Sequence, residues 1–245
     1  MKIFSLNTWQ ERGDWEKRWD VTLDGLARFK PDIVGFQELF NGGWTAQVQK
    51  RTGFPNVLYK DESCGLVLFT HFPVKAWGVE MLSQSPLEEY YRYVLWAELE
   101  VKKKKLFVFN THFSWMLQDG ETRTKQAEEV LQLLLQIAAK EEVVLMGDLN
   151  AAHHSPEITG FIYRGEFSDL FAQKHHLDSG FTWDNRNPYV ASAEHRLPDR
   201  RIDFILTRGT GPLLKDLVSC EIVLTKPNSK GFWASDHYGV LAEFK

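Results

Sequence analysis

Cysteine is scarce in this chain, with two residues, Cys64 and Cys220, among 245. Two thiols cannot build the disulfide framework of a small secreted domain, and no Cys/His spacing typical of a zinc site is present. A glycine-rich phosphate-binding loop and a G-x-S-x-G nucleophile elbow are also absent. The sequence therefore argues against a zinc module, a P-loop enzyme and a hydrolase with an activated serine.

Long apolar runs and an excess of basic residues are absent as well. No run is long enough to span a bilayer, and no apolar signal-peptide core follows Lys2, so we expect a cytosolic (cytoplasmic) protein. The formal net charge is −4, which argues against a protein dedicated to long nucleic acids, because such proteins usually present a basic face. This balance leaves room for an enzyme with a local basic cleft.

The segments that are present predict many strands and few helices. Helical spacing of apolar residues covers 15–29 and 121–140, whereas about a dozen short apolar or alternating runs are typical of strands. So many strands do not fit one doubly wound sheet, and they favour two packed sheets with helices outside. Because no linker, repeat or low-complexity tract interrupts the sequence, we expect residues 1–245 to form a single domain.

The stretch VVLMGDLN, residues 143–150, organises the functional interpretation of the chain. Its apolar run is typical of a strand buried on both faces, and Gly147 ends that run. Asp148 and Asn150 follow, and residues two apart on an extended segment point the same way. A carboxylate and an amide thus emerge together at a strand end, where open sheets bind ligands. An ordinary Asx turn explains the stretch equally well when it is taken alone.

Similar polar side chains stand where other apolar runs stop. This set consists of an amide, carboxylates and histidines, at Asn7, Glu38, His112, Asp236 and His237, with Asp203 inside a run. Convergent polar groups at one edge of a sheet form a site. Carboxylate and amide oxygens suit a hard cation such as Mg²⁺ or Mn²⁺, and such an ion with histidines fits hydrolysis of a phosphate ester by an activated water.

Six short motifs add a specific resemblance. LNTW, FQEL, NTHF, GDLN, RIDFIL and SDHYGV occur in the order seen in the endonuclease/exonuclease/phosphatase superfamily, which includes deoxyribonuclease I. The motifs extend from Asn7 to His237, so the resemblance covers essentially the whole chain. It implies an α/β (α+β) four-layer sandwich, in which two packed, mainly antiparallel β-sheets are flanked by helices. It also implies a phosphoester hydrolase that depends on Mg²⁺ or Mn²⁺.

The resemblance implies roles for individual residues. Glu38 corresponds to the principal metal ligand of the superfamily, with Asn7 near it and Asp236 touching or supporting the metal. Asp148 and Asn150 correspond to the pair that binds the phosphate and orients or deprotonates the water. These five residues would place the metal and the water beside the scissile bond.

Two histidines complete the implied catalytic set. His237 corresponds to the catalytic histidine, with Asp203 holding its ring, and His112 corresponds to a residue that hydrogen-bonds the phosphate. A carboxylate on the second imidazole nitrogen fixes the tautomer and stabilises the charged ring. The ordinary alternative for Asp203 is a strand carboxylate that pairs with Arg200 or Arg201.

Departures from the superfamily pattern narrow the choice among its branches. Trp9 stands where apurinic-site endonucleases have an aspartate, and Thr111-His112 replaces their tyrosine motif. The N-x-W opening, the T-H pair and the T-W-D-x-x-N segment at residues 182–187 are closer to neutral sphingomyelinases and tyrosyl-DNA phosphodiesterases. We interpret the chain as a phosphodiesterase rather than a monophosphatase. The alternatives are a nuclease or DNA-end repair phosphodiesterase and, in another class, a non-catalytic binding protein on the same fold.

The substrate expected from the sequence is a small-molecule or lipid-like phosphodiester. The acidic net charge, and the expected position of the lysine run at residues 102–105 in a hairpin turn, do not favour nucleic acid, which stays an alternative. Trp15 and Trp183 lie in segments that flank the expected site, and exposed rings there would suit a flat or apolar group. We expect the protein to be a monomer.

Overall fold

The computed structural model describes residues 1–191, 197–209 and 211–245. Within these ranges the chain forms two β-sheets of six strands each and seven helices. The strands are β1 (Lys2–Asn7), β2 (Ile33–Gln37), β3 (Asn56–Leu58), β4 (Val67–Thr70), β5 (Val74–Met81), β6 (Tyr93–Val101), β7 (Lys104–His112), β8 (Glu142–Asp148), β9 (Phe167–Asp169), β10 (Asp203–Arg208), β11 (Leu217–Val223) and β12 (Gly239–Phe244). The helices are α1 (Trp15–Phe29), α2 (Gly42–Thr52), α3 (Gly120–Ile137), α4 (Pro156–Gly165), α5 (Leu170–Lys174), α6 (Pro188–Ala191) and α7 (Pro212–Lys215).

Both sheets are mixed, although most neighbouring strands run antiparallel. The first sheet has the order β11-β12-β1-β2-β4-β3, and the second has the order β5-β6-β7-β8-β10-β9. In the described part of each sheet one neighbouring pair is parallel, β1 with β2 and β7 with β8. Because parallel neighbours end at the same edge of a sheet, residues at the ends of each pair lie close together.

Three apolar clusters separate the layers of the fold. Side chains of both sheets, among them Ile3, Leu95 and Met146, pack in the cluster between the sheets. Helices α1 and α2 cover the outer face of the first sheet through residues such as Trp19. Helices α3 and α4 cover the second sheet through residues such as Val130. The predicted four-layer sandwich is therefore confirmed, with mixed sheets in which antiparallel pairs dominate.

Apolar spacing explains where the long helices lie. Helix α1 covers the 15 residues that the spacing predicts, and Pro31 follows its end because proline disfavours helix in the preceding residue. Helix α3 ends at Ile137, three residues before the predicted end. Leu135, one of the apolar residues on which the predicted helix rested, is 56% exposed. It lies about 100° around the helix from the buried Leu134, so it points away from the sheet.

The hairpin between β6 and β7 carries the lysine run, as the sequence predicts. Lys102 and Lys103 form its turn, and Lys104 and Lys105 begin β7. His112 ends the same nine-residue strand, so the run and His112 are separated by about 26 Å at ~3.3 Å per residue. The lysine run therefore cannot contact a phosphate bound at the His112 end.

The sequence also led to expectations about membrane spans and disulfide bonds. In the described ranges, no helix combines the length and the apolar character needed to cross a membrane. Both cysteines are buried as free thiols. The cytosolic location itself stays a prediction.

Candidate active site

The strand ends bring the polar side chains together at one edge of the two sheets. Asn7 pairs with Gln37 at the end of β2, so Glu38 emerges beside it. His112 and Asp148 end β7 and β8 and lie opposite each other in the parallel register. The amide Nδ2 of Asn7 donates to Asp148 Oδ2 at 3.0 Å and to Glu38 Oε1 at 3.2 Å. These bonds connect the edges of both sheets.

Asp148 lies at the centre of this group. Its Oδ2 is 3.5 Å from His112 Nε2 and 3.7 Å from His237 Nε2. Its Oδ1 accepts a hydrogen bond from the backbone N–H of Asn150 at 2.9 Å. Burial, together with the nearby carboxylate of Asp203, raises the pKa of Asp148 to about 7. The carboxylate is therefore held where it can exchange a proton with a group between the two histidines.

His237 and Asp203 form a buried hydrogen-bonded pair. Asp203 begins β10 opposite Asp148, and His237 Nδ1 donates to Asp203 Oδ2 at 2.9 Å. Burial disfavours the charged ring, but the carboxylates of Asp203, Asp148 and Asp236 together raise the pKa of His237 to about 10. With the Nδ1 proton directed to Asp203, the ring presents Nε2–H on the side of Asp148. The pairing of Asp203 is thus with a histidine, not with a neighbouring arginine.

His112 is held by Arg92, which the sequence analysis did not single out. Arg92 Nη1 lies 2.9 Å from His112 Nδ1. Because a guanidinium group only donates, Nδ1 accepts, and the neutral ring carries its proton on Nε2. Burial, together with Arg92 and His237, holds the pKa of His112 well below its usual range. The Nε2–H group lies 3.5 Å from Asp148 Oδ2, where it can donate to a phosphate oxygen. Asn150 Nδ2 lies 3.0 Å from Nε2 but, as a second donor, does not bond to this protonated nitrogen.

Arg92 is in turn held by Glu88. Arg92 Nε donates to Glu88 Oε2 at 2.7 Å, and the two side chains are 8% and 0% exposed. Their sequence signal is an opposite charge four residues away, which is typical of a helix surface. The segment is instead the loop between β5 and β6. Spacing alone therefore could not assign this contact.

Three residues at this edge have left-handed backbone conformations. Trp9, Glu38 and Asn150 have φ angles of +57°, +59° and +49°, which side chains other than glycine seldom adopt. Arg18 supports the first position, because its buried guanidinium donates to the backbone carbonyls of residues 8, 9, 10, 12 and 234. Such conformations cost ~1–3 kcal/mol each and are found mainly at functional sites.

Glu38 and Asp236 have carboxylates that suit a metal ion. Neither forms an ion pair with a lysine or arginine that the structure describes, and Glu38 Oε1 lies 3.9 Å from His112 Nε2. Burial, with a smaller contribution from Glu38, raises the pKa of Asp236 to about 6 against the opposing effect of His237. A divalent cation would compensate two such carboxylates, and the amide oxygen of Asn7 is a third hard donor. The residues present therefore fit such an ion.

A second compact group, Asp148, Asp203 and His237, has ligand atoms within 4.8 Å of one another. The hydrogen bond between His237 Nδ1 and Asp203 Oδ2 already occupies two of these atoms. Asp203 Oδ1, by contrast, has no hydrogen-bond partner in the described part of the chain. Because two members of this group already bond to each other, the Glu38 side is the candidate place for a metal.

A cavity of about 390 Å³ opens above these residues. Three arginines, Arg12, Arg92 and Arg200, contribute to its wall together with the two histidines. The Nε atom of Arg200 is buried and has no hydrogen-bond partner in the described part of the chain. A buried unpaired donor in the wall of a cavity suits a phosphate oxygen.

The structure separates the two tryptophans that the sequence places near the site. Trp183 lines the cavity, with its ring 5.1 Å from that of His237 and the Arg200 guanidinium 5.9 Å from its centroid. Trp15 instead packs edge-on against Trp44 at 5.6 Å and does not line the cavity. Helix α1 directs Trp15 towards the outer helical layer, so its predicted contact with substrate is not supported.

A phosphate ester bound in this cavity would meet N–H donors, a proton-exchanging carboxylate and hard ligands for a cation. This combination defines a class of protein, the metal-assisted phosphoester hydrolases. The comparison of sequences agrees with that class, because the profile of the Endonuclease/Exonuclease/phosphatase family matches residues 5–237. The chain belongs to this family, and the resemblance seen in the sequence is confirmed.

The chain is similar to tyrosyl-DNA phosphodiesterase 2 of Danio rerio, with 26% identity over 234 residues, which cover 89% of this chain and 59% of that relative. It thus spans about three fifths of the relative's length. The crystal structure of D. rerio TDP2 complexed with single strand DNA product has a TM-score of 0.84 at 20% identity, and covers 100% of this chain and 98% of that chain. A mannosyl-6-phosphatase of Bacteroides thetaiotaomicron has a TM-score of 0.81 at 17% identity, with coverages of 100% and 99%. These structural similarities establish the fold.

The expected preference for a small-molecule or lipid-like substrate is contradicted by these comparisons. The curated relative is named for a tyrosyl-DNA bond, and D. rerio TDP2 is complexed with a single strand DNA product. The expectation rested on the net charge of the whole chain. Net charge does not report where the cations lie, and Arg12, Arg92 and Arg200 all line the cavity of this net acidic protein.

Proposed function

We propose that this chain is a divalent-metal-dependent phosphodiesterase that hydrolyses ester bonds at DNA ends, such as a bond between tyrosine and a terminal phosphate. The observation that carries the proposal is the Asp148 carboxylate, which Asn7 holds between the Nε2 atoms of His112 and His237. The similarity to tyrosyl-DNA phosphodiesterase 2 supports a DNA end as the substrate.

Each polar side chain has a separate task in this proposal. Asp148 accepts a proton from the attacking water, and Asn150 orients the water and the phosphate. His112, with its proton on Nε2, donates to one non-bridging phosphate oxygen. His237, charged and oriented by Asp203, donates to a second oxygen or to the leaving group. A positioned acid or base of this kind contributes ~10²–10⁴-fold in rate.

The proposed metal is Mg²⁺ or Mn²⁺, held by Glu38, Asn7 and Asp236. When bound, such an ion polarises the phosphate and stabilises the charge that develops on it. Both ions prefer oxygen ligands, and the three donors are oxygens. We therefore expect either ion to support hydrolysis.

The test is a hydrolysis panel with the purified chain. Its substrates are oligonucleotides with tyrosine on the 5′ or 3′ phosphate, the same oligonucleotides without tyrosine, bis-p-nitrophenyl phosphate and p-nitrophenyl phosphate. We expect release of tyrosine from at least one end, and faster hydrolysis of the simple diester than of the monoester. EDTA should abolish both activities, and Mg²⁺ or Mn²⁺ should restore them.

Two controls make the panel decisive. The variant His237→Ala, purified in parallel, should lose about 10³-fold of the activity on every substrate, which excludes a contaminating nuclease. Undiminished activity in EDTA would overturn the metal dependence. Hydrolysis of bis-p-nitrophenyl phosphate without cleavage of any oligonucleotide would overturn the DNA end as substrate.

Cleavage inside long duplexes is the alternative for a family member that acts on DNA. Enzymes of that kind contact many phosphates and lose affinity steeply with salt. The lysine run of this chain lies at the far end of β7 from His112, so it cannot extend the phosphate-binding surface at the site. Efficient nicking of plasmid at physiological salt would favour the nuclease over the proposed activity.

A further inference from the structure

Large apolar side chains are exposed on two loops beside the catalytic cavity. Tyr90 and Tyr91 lie in the loop between β5 and β6, and Trp115 and Leu117 lie in the loop between β7 and α3. Each of the four is between 52% and 56% exposed, and all four line the same cavity as His112. We call these four residues the aromatic ledge. Such a group of exposed apolar side chains at a cavity marks a binding surface.

The ledge is held in a defined position relative to the catalytic residues. The buried carboxylate of Glu88 accepts hydrogen bonds through Oε1 from the Trp115 backbone N–H at 2.6 Å and from Ser114 Oγ at 2.9 Å. Through Oε2 it accepts from Arg92 Nε, and Arg92 also contacts His112. One carboxylate thus connects both loops to His112, so the ledge needs little reordering when a ligand binds.

The chemistry of the two loops favours flat bases over phosphates. Residues 82–92 and 113–119 contain one basic side chain, Arg92, which is already bonded to Glu88 and His112. The other cations of the cavity wall, Arg12 and Arg200, belong to other loops. Aromatic side chains beside a phosphate-binding site are the usual platform for unpaired bases, since every base has a π-face to stack.

We propose that the aromatic ledge stacks the unpaired bases next to the scissile phosphodiester, so that the enzyme prefers a single-stranded DNA end to a blunt duplex end. This inference rests on the proposed function, because it takes a DNA end as the substrate. A blunt duplex keeps its bases stacked on one another and offers the ledge nothing to bind until it frays. The occupant is therefore the substrate strand itself.

The test compares substrates that differ in their unpaired bases. Tyrosyl oligonucleotides with six unpaired nucleotides at the modified end are compared with a blunt duplex of the same sequence and with bis-p-nitrophenyl phosphate. We expect the wild type to prefer the single-stranded end. The quantity compared is kcat/KM for the six-nucleotide end divided by kcat/KM for bis-p-nitrophenyl phosphate. The variant Trp115→Ala should lower this ratio by about tenfold, because it removes one stacking partner. The change should appear as a higher KM for the oligonucleotide.

Matched variants separate stacking from general damage. Trp77→Ala removes a tryptophan that is 45% exposed on β5 and does not line the cavity, so it should leave both activities and their ratio unchanged. Trp115→Phe should restore most of the ratio, because it restores an aromatic face. If Trp115→Ala does not fold, Tyr91→Ala provides the same comparison.

The possible results distinguish this inference from the proposed function. If tyrosyl oligonucleotides are hydrolysed but the ratio is the same in wild type, Trp115→Ala and Tyr91→Ala, the ledge does not stack bases and the inference is overturned. If the wild type hydrolyses bis-p-nitrophenyl phosphate and no oligonucleotide, the proposed function fails first. Loss of binding to phosphatidylcholine vesicles in Trp115→Ala, with an unchanged ratio, would assign the ledge to a membrane surface and overturn the inference.

Discussion

The hydrogen-bonded pair of His237 and Asp203 allows a quantitative prediction of how kcat changes in single and double variants. His237 Nδ1 donates to Asp203 Oδ2 at 2.9 Å. The other oxygen, Asp203 Oδ1, is buried and accepts no hydrogen bond from any residue that the structure describes. Asp203 is therefore hydrogen-bonded to the catalytic group only through the histidine ring, and its other effect is the electrostatic one that raises the pKa of Asp148. We expect it to contribute to the reaction mainly through that ring.

The magnitudes follow from this arrangement. His237→Ala removes a positioned acid, so kcat should fall about 10³-fold, within the ~10²–10⁴-fold range for such groups. Asp203→Asn replaces the acceptor by an amide that also donates, which releases the ring from its tautomer and should cost about 10²-fold. Independent effects would multiply to about 10⁵-fold, whereas two members of one unit should lose little more than the larger single effect. The double variant should therefore lose about 10³-fold.

The assay is the kcat of all four proteins on bis-p-nitrophenyl phosphate at saturating Mg²⁺. Circular dichroism and the urea midpoint of each variant check that the fold is retained. Single losses that multiply in the double variant would refute the reasoning, because they would show that Asp203 acts on the reaction by a route other than His237. A loss below about tenfold for His237→Ala would remove this residue from the catalytic set.

Two further predictions concern the metal and the strand that carries Asp148. Glu38→Gln should raise the half-saturating Mg²⁺ concentration at least tenfold when kcat is measured in a metal titration. The Tm should change little, since Glu38 forms no ion pair with a lysine or arginine in the described ranges. An unchanged half-saturating concentration would place the metal elsewhere. Gly147→Ala would put a Cβ 1.9 Å from the Thr111 carbonyl oxygen at φ +143°, whereas Gly53→Ala meets nothing within 4 Å at φ +75°. In urea unfolding, Gly53→Ala should lower the free energy of unfolding by about 1–2 kcal/mol. Gly147→Ala should lower it by at least about 2 kcal/mol more than Gly53→Ala does. Equal losses for the two variants would contradict the close approach of β7 and β8.

The main parts of the fold could be predicted because periodicity records burial. Helix α1 has the predicted bounds, since its apolar residues recur on one face and Pro31 follows its end. Leu135 shows the limit of this reasoning, because a leucine next to the buried stripe of α3 is exposed. Hydrophobicity alone does not define which face of a helix meets a sheet, whereas the position of the neighbouring layer does.

The candidate site was partly predictable for a related reason. Asn7, His112 and Asp148 follow apolar runs, and the structure brings them together because parallel strands end at a common edge. Arg92 and Glu88 were not predicted, since they lie in a loop without periodicity and become neighbours of the site only when β6 pairs with β7. Trp15 was assigned to the site from its neighbourhood in the sequence, and the direction of α1 removes it.

The sequence by itself determined the kinds of chemistry that this protein can perform. Residue types at strand ends select hard-cation and proton-transfer chemistry, and the six ordered motifs select the family. Only the tertiary structure decided which groups touch, which ring nitrogen of His112 carries the proton, and where the cationic side chains lie in a chain of net charge −4. The physical reason is that hydrogen bonds and electrostatic interactions depend on distances of a few ångströms between residues that are far apart in sequence. Asn7 and Asp148, which are separated by 141 positions, are joined at 3.0 Å only because the two sheets pack face to face with these strand ends at a common edge.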